Sequence, residues 1–215
     1  MPGDTIRAAR VRPEPRNPHP VRVTACMRKI PLALVILRLC LAPVLLATAL
    51  LYPDRTVFAG CLIGALLSDY FDGVIARRLG VATAGLRRLD SITDTIFYVC
   101  ALVAALVTAR ELVRPYFPAL GVLLLVEAIR YAYDLRKFGK EASYHMWSSK
   151  LWGLLLFIGM WELLVLHRDG WPVALAIFWG IAADLEGLVI SMTLRKWRAD
   201  VPTLWHACRL AKAGA

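Results

Sequence analysis

Histidine and cysteine are scarce in this 215-residue chain, four and five respectively, and they are scattered. Cys26, Cys40, Cys61, Cys100 and Cys208 form no C-x-x-C pair and no zinc spacing with His19, His145, His167 or His206. A structural zinc centre and a disulfide scaffold are excluded. Cys40, Cys61 and Cys100 fall inside apolar runs, where a free thiol acts as a small hydrophobe. Acids are also few, 16 against 26 Lys and Arg, for a formal net charge of +10 and a pI of 9.7. The largest deficit is in polar sequence. Charged residues make up 20% and hydrophobic ones 59%, against roughly 45–50% apolar in a soluble chain, and mean hydropathy is +0.57. Disorder through the bulk of the chain and a coiled coil are excluded. So is a soluble nucleic-acid binder, whose cations would line a polar face. A chain both apolar and basic fits an all-α integral membrane protein with its cations held in loops.

Residues 1–26 carry Pro2, Pro13, Pro15, Pro18 and Pro20 among five arginines, without apolar periodicity. They are expected to form a disordered, basic extension that lacks the apolar core of a signal peptide. Met27 follows directly and is a candidate alternative start. Six apolar segments then approach the ~20 residues needed to cross a bilayer, near 34–52, 56–77, 91–113, 116–135, 148–166 and 172–194. Pro53, Pro115 and Pro172 mark junctions, and Trp147, Trp171 and Trp197 flank spans as an aromatic belt does. The expected organisation is a six-helix membrane domain over 27–200 and a cytoplasmic tail over 201–215. Cations concentrate in the N-terminal stretch, in 77–88, in 136–150 and after Leu194, while Arg55, Arg110, Arg114 and Arg168 fall on the other side. The positive-inside rule therefore predicts both termini and the 78–89 loop in the cytoplasm.

Carboxylates stand where a membrane helix ordinarily has none. Asp69 and Asp72 lie i, i+3 at the inner end of the second segment, and Asp90 and Asp94 lie i, i+4 at the start of the third. Each pair shares a helix face, and the short connection makes the two helices antiparallel neighbours. Four aspartates are thus expected at one depth, one to two turns inside the cytoplasmic boundary. An intramembrane carboxylate is costly and marks a functional site by default. Oxygen-only ligation suits hard cations such as Mg²⁺ or Mn²⁺, and two such ions offset four carboxylates. The plainer alternative is a salt-bridged hairpin in which Arg77, Arg78, Arg87 and Arg88 pair with the acids. Gly73 and Ala76 leave space for a phosphate-bearing ligand, while Gly60 and Gly64 form a GxxxG of the helix-packing kind.

Taken together, Asp69, Asp72, Gly73, Ala76, Arg77, Gly85, Asp90 and Asp94 resemble the signature D-x2-D-G-x2-A-R-x8-G-x3-D-x3-D of the CDP-alcohol phosphatidyltransferase family. Seven positions agree in register. Gly85 comes one residue early, so Leu86 stands where the family has glycine. Ile30-Pro31, Arg38 and Pro43 are similar to the family's N-terminal segment, with Leu32 and Val35 where Asn and Thr are common. The resemblance implies that Asp69, Asp72, Asp90 and Asp94 hold two divalent ions, with Asp94 also the general base. It implies that Asp69, Gly73, Ala76, Arg77 and Gly85 bind CDP. It further implies phosphatidyl transfer from CDP-diacylglycerol to a small polar alcohol with release of CMP, a homodimer, and a bacterial cytoplasmic membrane with the site facing the cytoplasm.

Arg130, Arg136, Lys140 and Lys150 lie on the expected active-site side and are candidates to hold an acceptor phosphate; setting topology is their plainer role. Residues 139–150 loosely resemble the corresponding stretch of phosphatidylglycerophosphate synthases, which makes glycerol 3-phosphate the first candidate acceptor. The alternatives are a soluble CDP-alcohol donor with a diacylglycerol acceptor, and an ion-coupled transporter using its membrane acids as a relay. Glu127, Glu162, Asp184 and Glu186 are further acids within spans, without an assigned role.

Overall fold

A computed structural model describes residues 29–81, 83–140, 144, 146–194, 196–198 and 201–213. The expected 1–26 extension and the choice between Met1 and Met27 lie outside the described residues. The helices run α1 Ile30–Leu51, α2 Arg55–Arg78, α3 Ala84–Thr108, α4 Arg110–Val113, α5 Phe117–Phe138, α6 Trp147–Leu164, α7 Trp171–Thr193 and α8 Leu204–Ala213, with a 3₁₀ turn at Arg114–Tyr116 joining α4 to α5. No strand occurs among the described residues. α1, α2, α3, the α4–α5 unit and α7 are each long and apolar enough to cross a bilayer, and the chain is an integral membrane protein. The segment expected as the fifth span is α6, of 18 residues, which is not among these five. Its serines, Lys150 and Glu162 dilute the apolar run.

Local chemistry explains where the helices start and stop. Asp54 caps α2, accepting hydrogen bonds from the amides of Thr56 at 2.7 Å and Val57 at 3.3 Å. Those amides hold its carboxyl below the usual carboxylate range. α2 ends in a Schellman turn: the Val81 amide donates to the Ala76 carbonyl, the Gly80 amide donates to Arg77, and Gly80 takes φ +66°. Thr83 then caps α3 by accepting from the Leu86 amide at 3.2 Å. α3 therefore starts at residue 84, seven residues before the apolar segment expected near 91–113, and Arg87 and Arg88, expected in the 78–89 loop, are helical. The Thr83 cap starts the helix well ahead of its apolar run, so Arg87, Arg88 and Asp90 interrupt the hydrophobic pattern without interrupting the helix.

α1 packs on α2 and α3, α7 packs on α5 and α6, and α6 joins the groups by touching α2 and α3. Because lipid tails are as apolar as leucine, such helices associate through close packing of small side chains. Ala42, Ala49, Ala65, Ala101, Ala104 and Ala105 form that seam, all nearly or fully buried. Gly64 lies so close to Leu41 that a Cβ there would meet a leucine methyl at 3.0 Å, whereas Gly60 faces open space. Only half of the GxxxG is a packing contact. Large apolar side chains such as Leu50, Val99, Leu124, Leu125 and Phe178 face outward, as a lipid-exposed surface requires. Within the expected tail, Leu204–Ala213 is helical, and α8 packs against α7 with Val201 and Ala207 buried.

Candidate active site

The Schellman turn and the Thr83 cap reverse the chain, but α2 and α3, expected to be direct neighbours, lean on α1 far more than on each other, and their acidic faces meet at α1. At a rise of about 1.5 Å per residue, Asp69, Asp72, Asp90 and Asp94 lie about 9–15 Å from the helix ends that flank this turn. Arg38 lies at the same depth, about 12 Å from the start of α1. The four aspartates converge, and what they converge on is Arg38.

The Arg38 side chain is 1% exposed, and all three of its nitrogens are engaged. Nε donates to Ser68 Oγ at 3.3 Å and Nη2 to Asp72 at 2.7 Å. Nη1 donates to Asp90 at 3.0 Å and to Asp94, and makes an ion pair with Asp69 at 3.4 Å. Asp72 is 7% exposed, while Asp90, Asp94 and Asp69 are 31%, 36% and 50% exposed. The site therefore has a floor of Arg38, Ser68 and Asp72 and an open rim of three carboxylates.

Asp69, Asp72 and Asp90 each offer an oxygen within 4.8 Å of the other two, a spacing that a small adjustment turns into a coordination shell. Asp94 is outside that trio and faces Arg38. One guanidinium against four carboxylates leaves a formal excess of three negative charges. Oxygen donors with that excess fit a hard divalent cation. Of the remaining signature residues, Arg77 folds back over Gly73, where a Cβ would meet its Nη1 at 3.2 Å. Ala76 is buried under the turn, and Gly85 sits in the first turn of α3 facing open space.

The basic residues named for an acceptor phosphate do not gather on one partner. Arg130 on α5 pairs with the buried Asp184 of α7 at 3.3 Å. Lys140 lies 3.6 Å over the Trp197 ring, Lys150 4.6 Å over Trp147, and Arg136 is exposed. The other intramembrane acids gain surroundings that periodicity did not reveal. Glu186 accepts from Ser148 Oγ at 2.6 Å, tying α7 to α6. Glu162 pairs with Arg168, and Glu127 lines a cleft of about 260 Å³ with Arg130 and Tyr131. A cleft of about 500 Å³, bounded by Ala49, Pro53, Arg55, Val107 and His167, lies at the opposite end of the bundle from the carboxylates.

The plainer alternative, a salt-bridged hairpin, names Arg77, Arg78, Arg87 and Arg88 as partners of the aspartates and leaves out Arg38, which the structure places among them. The signal was present: Arg38 is the single charge in α1, and an isolated intramembrane charge demands a partner.

The sequence profile of the family described as CDP-alcohol phosphatidyltransferase matches residues 28–187, a stretch that holds Arg38, all four aspartates and Asp184. No curated protein and no solved structure matches the chain.

Proposed function

The chain belongs to the CDP-alcohol phosphatidyltransferase family, and from that premise we propose that it transfers a phosphatidyl group from CDP-diacylglycerol to a small polar alcohol, with release of CMP. Glycerol 3-phosphate is the acceptor we favour. The observation that carries this reading is the convergence of four carboxylates from α2 and α3 on one partly open site. Asp69, Asp72, Asp90 and Asp94 would hold two divalent ions, Mg²⁺ or Mn²⁺, on the donor diphosphate. When bound, such ions supply Lewis-acid stabilisation of the charge that builds on the leaving CMP. Asp94 accepts the proton of the acceptor hydroxyl as its oxygen bonds to the phosphatidyl phosphorus and the bond to CMP breaks. Gly73, Ala76, Arg77 and Gly85 border the approach of the cytidine end. Arg136, Lys140 and Lys150 lie on helix ends or a loop and Arg130 about two turns inside α5, and contact with an acceptor phosphate is the finer part of the proposal for them.

A site near one membrane face lets a lipid donor keep its tails in the bilayer while a polar acceptor arrives from water. The asymmetry of Lys and Arg supports a cytoplasm-facing site, six spans with α6 as the fifth, and both termini inside. A homodimer and a bacterial inner membrane are further parts of the proposal. Arg38 favours one competing reading, in which the tetrad is only an ionic hub that fastens α1 to the hairpin. Its single charge leaves the other three uncompensated, which is why the metal-dependent reading is preferred.

The test is to incubate full-length protein in detergent with CDP-diacylglycerol, Mg²⁺ and a panel of alcohols, scoring CMP. Release that needs both Mg²⁺ and an alcohol, and stops on chelation with EDTA, is expected. A folded protein that releases no CMP with any alcohol, or releases it only from a soluble CDP-alcohol and diacylglycerol, refutes the assigned direction of transfer.

A further inference from the structure

We propose that Arg38 is the resident cation of the site: its guanidinium holds the carboxylate tetrad together without metal and competes with divalent ions for the same oxygens. This rests on the reading of the tetrad as a metal site.

The geometry around Nη1 is the main argument. A guanidinium ordinarily meets carboxylates through its edges, two parallel N–H···O bonds to each. Here three separate carboxylates, from Asp69, Asp90 and Asp94, point at one nitrogen that has only two hydrogens. Acids arranged radially about a point are matched to a spherical ion. Two of the three, Asp69 and Asp90, belong with Asp72 to the trio whose oxygens lie within 4.8 Å of one another, and Asp72 itself is taken by Nη2 at 2.7 Å. A divalent ion drawing in those oxygens needs lone pairs that Arg38 now uses.

Burial and charge supply the rest. Arg38 cannot escape by snorkelling: its side chain is 1% exposed, held by Ser68, and it is the only charge on α1. Four clustered carboxylates without it would repel one another and strain the α2–α3 hairpin. Arg38 therefore stabilises the metal-free protein at the expense of metal affinity, and loading the site transfers carboxylates from the guanidinium to the ions.

The experiment titrates Mn²⁺ alone, without substrates, into full-length wild type, Arg38→Gln and Asp72→Asn, counting free Mn²⁺ by electron paramagnetic resonance. Melting temperatures are recorded with and without the ion. Arg38→Gln is expected to bind Mn²⁺ about tenfold more tightly than wild type, since a unit charge within about 4–5 Å of a divalent ion shifts binding by that order even in water-like surroundings. Its metal-free melting temperature should fall and be restored by Mn²⁺. Should Arg38→Gln alone fail to fold, Asp94→Asn and Asp94→Asn/Arg38→Gln provide the same comparison with one carboxylate fewer. Equal or weaker Mn²⁺ binding after loss of the arginine overturns the competition and makes Arg38 an organiser of the carboxylates, leaving the metal site intact. No Mn²⁺ binding by wild type or any arginine variant, with Asp72→Asn indistinguishable from them, removes the metal site itself.

Discussion

Replacing Asp94 with asparagine separates chemistry from architecture more cleanly than any other change at this site. Asn has the same shape, keeps an oxygen for Arg38, and cannot take up a proton at neutral pH. Its structural cost is limited because Arg38 retains Asp69, Asp72 and Asp90 and because Asp94 is 36% exposed. A hydrogen bond to a charged group contributes about 1.5–3 kcal/mol, which bounds the loss and corresponds to a melting shift of roughly 2–4 °C per kcal/mol. The chemical cost is larger. General-base catalysis contributes about 10²–10⁴ in rate, or about 3–5 kcal/mol of barrier. Turnover should therefore drop at least a hundredfold in a protein that still melts cooperatively within about 12 °C of wild type. CMP release under saturating CDP-diacylglycerol and acceptor measures the first quantity, and thermal unfolding in detergent measures the second. Wild-type turnover by folded Asp94→Asn would refute the assignment of the base.

Three further outcomes follow from the geometry. Asp72→Asn should lower the melting temperature more than Asp69→Asn, because Asp72 is 7% exposed on the floor of the site and Asp69 is 50% exposed on its rim; equal shifts in differential scanning fluorimetry would contradict that division. Gly180→Ala would place a Cβ 2.6 Å from Trp152 Nε1 and 3.0 Å from a Leu123 methyl, and an indole ring cannot bend aside. Overpacking of this kind costs about 1–3 kcal/mol, so a melting temperature equal to wild type would show that α6 and α7 separate more easily than their packing implies. Lys150→Ala should raise the acceptor KM while leaving the KM for CDP-diacylglycerol unchanged, and an unchanged acceptor KM counts against a phosphate contact.

The helices and the acidic hairpin were legible because both rest on local pattern. Apolar runs near bilayer length gave α1, α2, α5, α6 and α7 to within four residues at each end. The i, i+3 and i, i+4 spacings placed each aspartate pair on one face. Misreadings arose where the determinant was a cap or a distant helix. The early start of α3 depends on Thr83, and polar Arg87 and Arg88 hid it. Arg38 lies 31 residues before Asp69, and no spacing rule says which way α1 turns; only the packing of α1 against both hairpin helices points it inward. For the same reason Arg130, which looked like one of a loop-side basic group, has Asp184 of α7 as its ionic partner.

The exposure gradient across the tetrad bears on how a lipid and a water-soluble reactant meet. The buried end, with Arg38 of α1 and Ser68 and Asp72 of α2, is closed to solvent. Access is through Asp69, Asp90 and Asp94, and the first of these is the most open while belonging to α2, the helix that also carries Gly73 and the folded-back Arg77. Under the proposed transfer, a donor diphosphate would meet Asp69 first, since it is the most exposed of the four. The two helices contribute to one shared cluster, in which Asp90 of α3 stands with Asp69 and Asp72 of α2 while Asp94 faces Arg38.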